Sequence, residues 1–357
     1  MGLIISTQPS SPSVSSPFVG PLLLAPMEGV MDWILRDLLT ELGGVDHCVS
    51  EFLRVTSYLH SDSIFYKNCP ELKTSSRTRA GTPIFVQLLG GQQEPMALNA
   101  QRAIELGALG IDLNFGCPAK TVNRHDGGAT LLKSCHRLYD ITKTVRQAVP
   151  VDHPVTAKMR LGFDKPDTCV ENALALHAAG ANAITVHCRT KEQGYRPFAQ
   201  WDWFVKIKQA LPKDFPLVVN GDIFSRADFL RCQELTEAKY FMIGRGVLTH
   251  PYVFCEIADR TRNHKDQSFK VDLNSSRKLD HISGQGHSLP SLSVLLPQFF
   301  SACQVAVNSN LALSRTKQWM KSMSQKNPVI QDIFEQVKII KIPEDFENEL
   351  IRLLAKI

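Results

Sequence analysis

Cys117 lies in the segment Asn114-Phe115-Gly116-Cys117-Pro118, with Gly before it and Pro after it. That tight turn points a thiol at a reactant and away from a core. A free thiol has a pKa of about 8.5, so near neutrality it is mostly protonated and can donate a proton. Other polar residues interrupting apolar runs fall into two chemical sets. Gln87, Lys158 and Asn220 offer donors and acceptors for the edge of a flat heterocycle, and Lys158 can offset negative charge on a reduced ring. Gly221, Gly244 and Arg245 combine accessible backbone N–H groups with a guanidinium, which is the chemistry of phosphate capture. One phosphate and one planar heterocycle together describe FMN. Two other readings are open: Lys158 as a Schiff-base nucleophile, and His187 as a metal ligand. No second His or carboxylate stands near His187 at ligand spacing, so no metal site is assigned.

These residues share a position in the pattern. Apolar runs recur at 21–27, 47–55, 82–89, 109–116, 154–161, 183–189, 216–222 and 240–246. Helical periodicity fills most of the gaps, as in 32–42, 95–106, 131–149, 169–178, 201–211 and 225–235. Near-continuous apolar strands alternating with helices mean a parallel sheet covered by helices. Eight such strands over about 230 residues predict a (β/α)8 TIM barrel, of class α/β. A doubly wound sheet is the second choice, but no G-x-G-x-x-G opens a helix. In a barrel the C-terminal strand ends converge on one mouth, and phosphate commonly sits after strands seven and eight, where Gly221 and Gly244 fall. Taken singly, such residues could merely satisfy rim backbone groups; as a set they point to one pocket.

The rhythm stops after Phe254. Residues 1–19 are Ser/Pro-rich and read as a disordered tail, and 20–258 as the barrel. Residues 259–290 are polar and aperiodic, a linker or insertion, and 291–357 form a small helical domain. With 43% apolar and 21% charged residues among 357, the chain is neither collagen, a disordered polymer nor a small disulfide scaffold. A net charge of +5 is compatible with a polyanionic partner. Nine cysteines without a C-x-x-C pair favour reduced thiols in a cytoplasmic protein. Residues 282–314 lack charge but carry Pro, Ser, Gln and His throughout, so no membrane span is expected. The first basic residue is Arg36, which fits neither a secretory signal nor a typical transit peptide.

Together LLLAPMEGVMD (22–32), VQLLG (86–90), GIDLNFGCPAKTVNRHDGGATLL (110–132), AKMRLG (157–162), VHCRTKEQGY (186–195), VVNGDI (218–223) and MIGRG (242–246) resemble the tRNA-dihydrouridine synthases. The resemblance covers roughly 21–255 and resumes from about 311 to 340, where RTKQWM (315–320) and FEQVK (334–338) are similar to the branch that modifies uridine 16. It implies FMN held by Pro26, Met27, Glu28, Gln87, Lys158, His187, Asn220, Gly221, Asp222, Gly244 and Arg245, and NADPH as electron source. It further implies reduction of the uracil C5–C6 double bond in a flipped nucleotide, with Cys117 protonating C5. Asn114 and Tyr195 would meet the uracil and its flanking RNA. Arg54, Arg315, Lys317 and Lys338 would contact or orient the tRNA. Residues 301–341 hold six basic and two acidic side chains, as a phosphate-facing domain would. The expected assembly is a monomer.

The sequence departs from the family in its 259–290 segment, longer than typical, in its N-terminal tail, and at two single residues. Cys188 replaces a usual Gly, placing a side chain expected beside the flavin site, and Ser322 stands where an aromatic is frequent. Two other functions fit the same residues: a flavin barrel acting on a free pyrimidine or other small conjugated molecule, and a non-catalytic tRNA-binding scaffold. The basic C-terminal helices oppose the first, and intact Cys117, Lys158 and Arg245 oppose the second.

Overall fold

The computed structural model describes residues 16–196, 198–262 and 289–357, with 259–262 by backbone alone. Among them are nine strands: β1 (Leu22–Leu24), β2 (His47–Val49), β3 (Leu53–Arg54), β4 (Ile84–Leu89), β5 (Ile111–Phe115), β6 (Val155–Arg160), β7 (Ala183–His187), β8 (Leu217–Asn220) and β9 (Tyr240–Ile243). All pair in parallel, and β1 meets both β2 and β9 while β2 also meets β4. The ring β1-β2-β4-β5-β6-β7-β8-β9 closes an eight-staved TIM barrel, and β3 extends one wall against Leu88 and Leu89.

Around and beyond the barrel the described helices are α1 (Trp33–Glu41), α2 (Asp62–Asn68), α3 (Gln93–Glu105), α4 (Lys120–Arg124), α5 (Cys135–Ala148), α6 (Cys169–Ala178), α7 (Trp201–Ala210), α8 (Arg226–Thr236), α9 (Arg245–Thr249) and α10 (Val253–Arg262). The C-terminal set is α11 (Leu292–Ala306), α12 (Ser309–Met323), α13 (Pro328–Val337) and α14 (Pro343–Leu354). Side-chain caps start several of them. Asp32 accepts the Leu35 N–H at α1, Ser225 caps α8, and Asn308 and Asn327 cap α12 and α13. Phe299 meets Trp319 edge-on at 5.0 Å and Phe300 lies against Phe346, so α11, α12 and α14 share a core. That core is continuous with the one between barrel and helices, because α11 lies on α1 and α12 on α9.

Four expectations are revised. The run 47–55 is not one strand, because the Ser50 hydroxyl takes the Gln87 N–H at 3.0 Å and breaks the ladder. The helix expected over 131–149 begins as a 3-10 turn, Gly128–Lys133, and restarts at Cys135 after extended Ser134. The supposed linker starts too early, since α10 runs to Arg262; residues 263–288 lie outside the described residues. The tail ends too late, because Phe18 is buried against His47, Phe85 and Tyr240 at the barrel floor. Residues 1–15 lie outside the described residues.

Candidate active site

Strand residues alternate between facing the helices and facing the barrel axis. Leu22, Leu24, Ile111, Leu113, Phe115, Ala157, Met159, Ile184, Val186 and Val219 belong to the core shared with the helices. Leu23, Val49, Phe85, Ala183, Val218 and Met242 form a separate interior cluster closed by Phe18. Above that apolar floor the same inward positions become polar: Gln87, Asp112, Asn114, Thr156, Lys158, Thr185, His187 and Asn220. Parallel register sets them side by side, with Gln87 opposite Asp112, Asn114 opposite Lys158 and His187 opposite Asn220.

These side chains hold one another. Gln87 donates to Asp112 at 2.7 Å and accepts from Asn114 at 2.8 Å, while Thr156 donates to Asp112 at 2.6 Å. Lys158 Nζ donates to Asn220 Oδ1 at 3.2 Å, and Asn220 Nδ2 donates to the Met242 carbonyl at 2.8 Å. Burial pushes Lys158 down to about 8 and the Asp112 carboxyl up. Burial, reinforced by surrounding cations, holds His187 well below its ordinary value, so its imidazole is neutral.

A cavity of about 800 Å³ opens over this layer, within the usual size of a small-ligand site. Its walls include every residue assigned from the sequence to FMN, together with Cys117, Asn114 and Tyr195. At one end Asp222 accepts from Arg189 at 2.5 Å, Arg245 at 3.1 Å and the Ala199 N–H at 2.7 Å. The turn depends on left-handed backbone at Gly221 (φ +128°) and Asp222 (φ +55°), and a Cβ on Gly221 would meet the Ala199 Cβ at 3.1 Å. Arg245 lies over the Tyr195 ring at 4.3 Å, which joins the expected phosphate and RNA contacts in one cluster.

Cys117 lies on the opposite rim. Its carbonyl accepts from the Ala129 N–H at 3.1 Å and Asn123 Nδ2 at 3.0 Å. Gly128 (φ +61°) allows this approach, since a Cβ there would stand 2.8 Å from the Cys117 carbonyl oxygen. Asn114 Oδ1 accepts the Gly116 N–H at 2.9 Å, so this residue braces the turn before the thiol as well as facing the cavity. Burial raises the thiol pKa, and Glu28 adds to it, so the group is protonated near neutrality.

The four basic residues expected on tRNA do not line the cavity. Arg54 reaches the Thr121 carbonyl at 3.5 Å, and Lys338 pairs with Glu335 on α13. Lys317 donates to the carbonyls of Lys338 and Ile340 beyond α13. Arg315 is buried and turned toward the β1–α1 loop. The expectation for Cys188 is corrected: its side chain belongs to the core shared with the helices and does not line the cavity, because it follows β7 on the face turned from the barrel axis. Ser322, by contrast, lines the cavity.

Several residues were not singled out from the sequence. Glu51 accepts the Val30 N–H at 3.1 Å, and burial with neighbouring Glu28 pushes its carboxyl up to about 7. Arg160 is another. It donates to the carbonyls of Gly116, Thr190 and Gly194, joining the Cys117 turn to the Tyr195 loop. Its inward register beside Lys158 was the available signal; Glu51 offered none. Among the described residues no group of His, Cys, Asp or Glu is placed to hold a metal ion, and no helix is long and apolar enough to cross a membrane.

Comparison with known proteins places this geometry in a family. The dihydrouridine synthase family model matches residues 23–340. A tRNA-dihydrouridine(16) synthase of Neisseria meningitidis serogroup B is 38% identical over 330 residues, 92% of this chain and 93% of the relative. Synthases of the same name from Pseudomonas putida and Cupriavidus necator are 42% identical over 317 residues and 48% over 236. Those matches cover 89% and 66% of this chain and 92% and 73% of the relatives. Among solved structures, a 2-naphthoyl-CoA reductase complex and a Rhizobium histamine dehydrogenase each superpose with TM-score 0.51 over 67% of this chain, at 12% and 13% identity. This chain spans about half the length of each (50% and 46%), and the likeness concerns the fold alone. The family match runs from the first barrel strand into the C-terminal helices and takes in the Cys117 turn and the Gly221–Arg245 rim: the chain belongs to the dihydrouridine synthase family.

Proposed function

We propose that this protein reduces a uridine of tRNA to 5,6-dihydrouridine, with FMN as resident cofactor and NADPH as electron donor. The shared name of its relatives supports position 16 as the target. In this reading the barrel, from Phe18 to the end of α10, is the catalytic domain and helices α11–α14 are the tRNA-binding domain of a cytoplasmic monomer. The observation that carries it is the cavity of about 800 Å³, lined at once by the Cys117 thiol and by the cations Lys158, Arg160 and Arg245.

The residues present suit FMN. Arg189 and Arg245 share one carboxylate, Asp222, and Arg160 has backbone carbonyls for partners. Burial depresses the pKa of Lys158 and Arg160, and partial burial with neighbouring Arg189 depresses that of Arg245, so positive charge gathers along this cavity. A dianionic phosphate at Gly221, Gly244 and Arg245 would supply the missing charge, with Asp222 orienting Arg245. Gln87, Lys158, His187 and Asn220 would hold the ring edge, and Pro26, Met27 and Glu28 would wall it.

The reduced cofactor, when bound, supplies the hydride that adds to C6 of the uracil. Cys117 donates its proton to C5, and water reprotonates the thiolate. Lys158, held at the ring edge, would offset negative charge on the reduced ring. Asn114 orients the base with the amide capacity left after bracing Gly116 and donating to Gln87, and Tyr195 offers a stacking face to the flanking nucleotide. Arg54, Lys317 and Lys338 are proposed to contact the tRNA backbone, and Arg315 to orient it from within.

Two measurements test this reading. Mapping dihydrouridine in tRNA from cells lacking the protein should show loss at position 16; an unchanged map overturns the assignment. Purified protein should reduce folded tRNA and leave free uridine untouched, whereas equal activity on both favours a small-molecule reductase. A pH dependence follows from Lys158. Its folded-state value near 8 lies below the ordinary lysine value, so the charge is present below pH 8 and lost above it. Single-turnover reduction of tRNA should be flat through neutrality and fall about tenfold by pH 9. Lys158→Met should be slow at every pH and lack that limb; a wild-type profile flat to pH 9 would contradict the role.

A further inference from the structure

The β1–α1 loop carries Met27 and Glu28 into the cavity, and elements from outside the barrel hold its backbone. The Gly29 carbonyl accepts from Arg315 Nη1 at 2.9 Å and from Gln318 Nε2 at 3.0 Å. The Val30 carbonyl accepts from Arg315 Nη2 at 2.6 Å, and Asp32 pairs with the same nitrogen at 3.0 Å. From the barrel side Glu51 takes the Val30 N–H and Arg36 donates to the Met31 carbonyl at 3.2 Å. Arg315, Gln318 and Ser322 stand at i, i+3 and i+7 on α12, one helix face, and Ser322 itself lines the cavity. A charged guanidinium that is 9% exposed has exchanged its hydration for these contacts.

We infer that Arg315 is a positioning residue for the cofactor: through the Gly29 and Val30 carbonyls and Asp32, helix α12 fixes the Met27–Glu28 wall, so the C-terminal helices complete the FMN site. The inference rests on the FMN reading above. It assigns Arg315 an inward task, and RNA seated on α12 would press on the flavin wall through the same side chain. Hydrogen bonds to a charged donor are among the stronger ones, so their loss reaches the bound ligand through a displaced loop.

The test is made without tRNA. Arg315→Met keeps the buried stem and removes the donors. FMN added to apoprotein should bind roughly tenfold more weakly, and the midpoint potential of the bound flavin should shift. Val337→Ala, in the core of α13, should lower Tm without changing either quantity, which separates positioning from general loosening of the helices. Arg315→Lys should restore part of both losses. If Arg315→Met does not fold, Gln318→Ala removes one donor to Gly29 from an exposed position and should weaken FMN binding two- to threefold. Wild-type FMN affinity and potential in Arg315→Met, or in Gln318→Ala should the former be insoluble, overturn the inference. Wild-type protein that takes up no FMN overturns the flavin reading and this inference together, whereas normal wild-type uptake with unaltered variants overturns the inference alone.

Discussion

Cys117→Ala should yield a protein that still binds FMN and is reduced by NADPH, yet forms dihydrouridine roughly 10²–10⁴-fold more slowly, the usual contribution of a positioned general acid. The loop should survive the change, because its anchors are backbone: the Cys117 carbonyl receives Ala129 N–H and Asn123 Nδ2, and Asn114 holds the Gly116 N–H. The residues proposed to hold the cofactor come from other strands, so a bound flavin would lose no partner. The thiol's raised pKa keeps the acid in its donating form, and Ser, a much weaker acid of similar size, should restore little. Anaerobic mixing of reduced enzyme with unmodified tRNA measures the step directly. A rate within threefold of wild type would remove Cys117 from the mechanism.

Glu71→Gln should be among the most destabilising single changes in the barrel. Arg36 is fully buried and donates to Glu71 Oε1 at 2.9 and 2.6 Å, with Glu71 only 7% exposed. Removing one member of a buried pair strands the other charge, at a cost of about 3–5 kcal/mol. For a chain of this size that is a Tm loss of about 4–7 °C. Replacing both, as Arg36→Met with Glu71→Leu, should recover much of the loss because no charge is left without a counter-ion. Arg36 also donates to the Met31 carbonyl, so the single variant should weaken FMN binding while the pair is broken. Thermal melts of the two variants decide the matter: equal Tm values for Glu71→Gln and wild type would show that the ion pair contributes nothing net.

What could be read beforehand depended on which forces leave a mark on residue type. Parallel strands buried on both faces are near-continuous apolar runs, so all eight staves were visible, and cavity-lining residues such as Gln87, Lys158 and Asn220 stood out as polar interruptions at inward positions. The break between β2 and β3 was not visible, because it turns on one hydroxyl, Ser50, taking a ladder N–H. The direction of Arg315 was equally hidden. Among neighbouring basic residues nothing in its type separates a guanidinium facing phosphate from one enclosing two carbonyls. Cys188 misled for a related reason: proximity in sequence to His187 says nothing of the opposite face, to which a one-residue step sends it.

The stopper formed by Phe18 against His47, Phe85 and Tyr240 has a kinetic consequence. With the lower barrel filled, the cavity lies only over the strand ends among the described residues, so both substrates of the proposed reaction would come to the cofactor from that end. Under the proposed chemistry, initial-rate lines at varied concentrations of the two substrates should run parallel, the pattern of a shuttle that discharges one visitor before admitting the next.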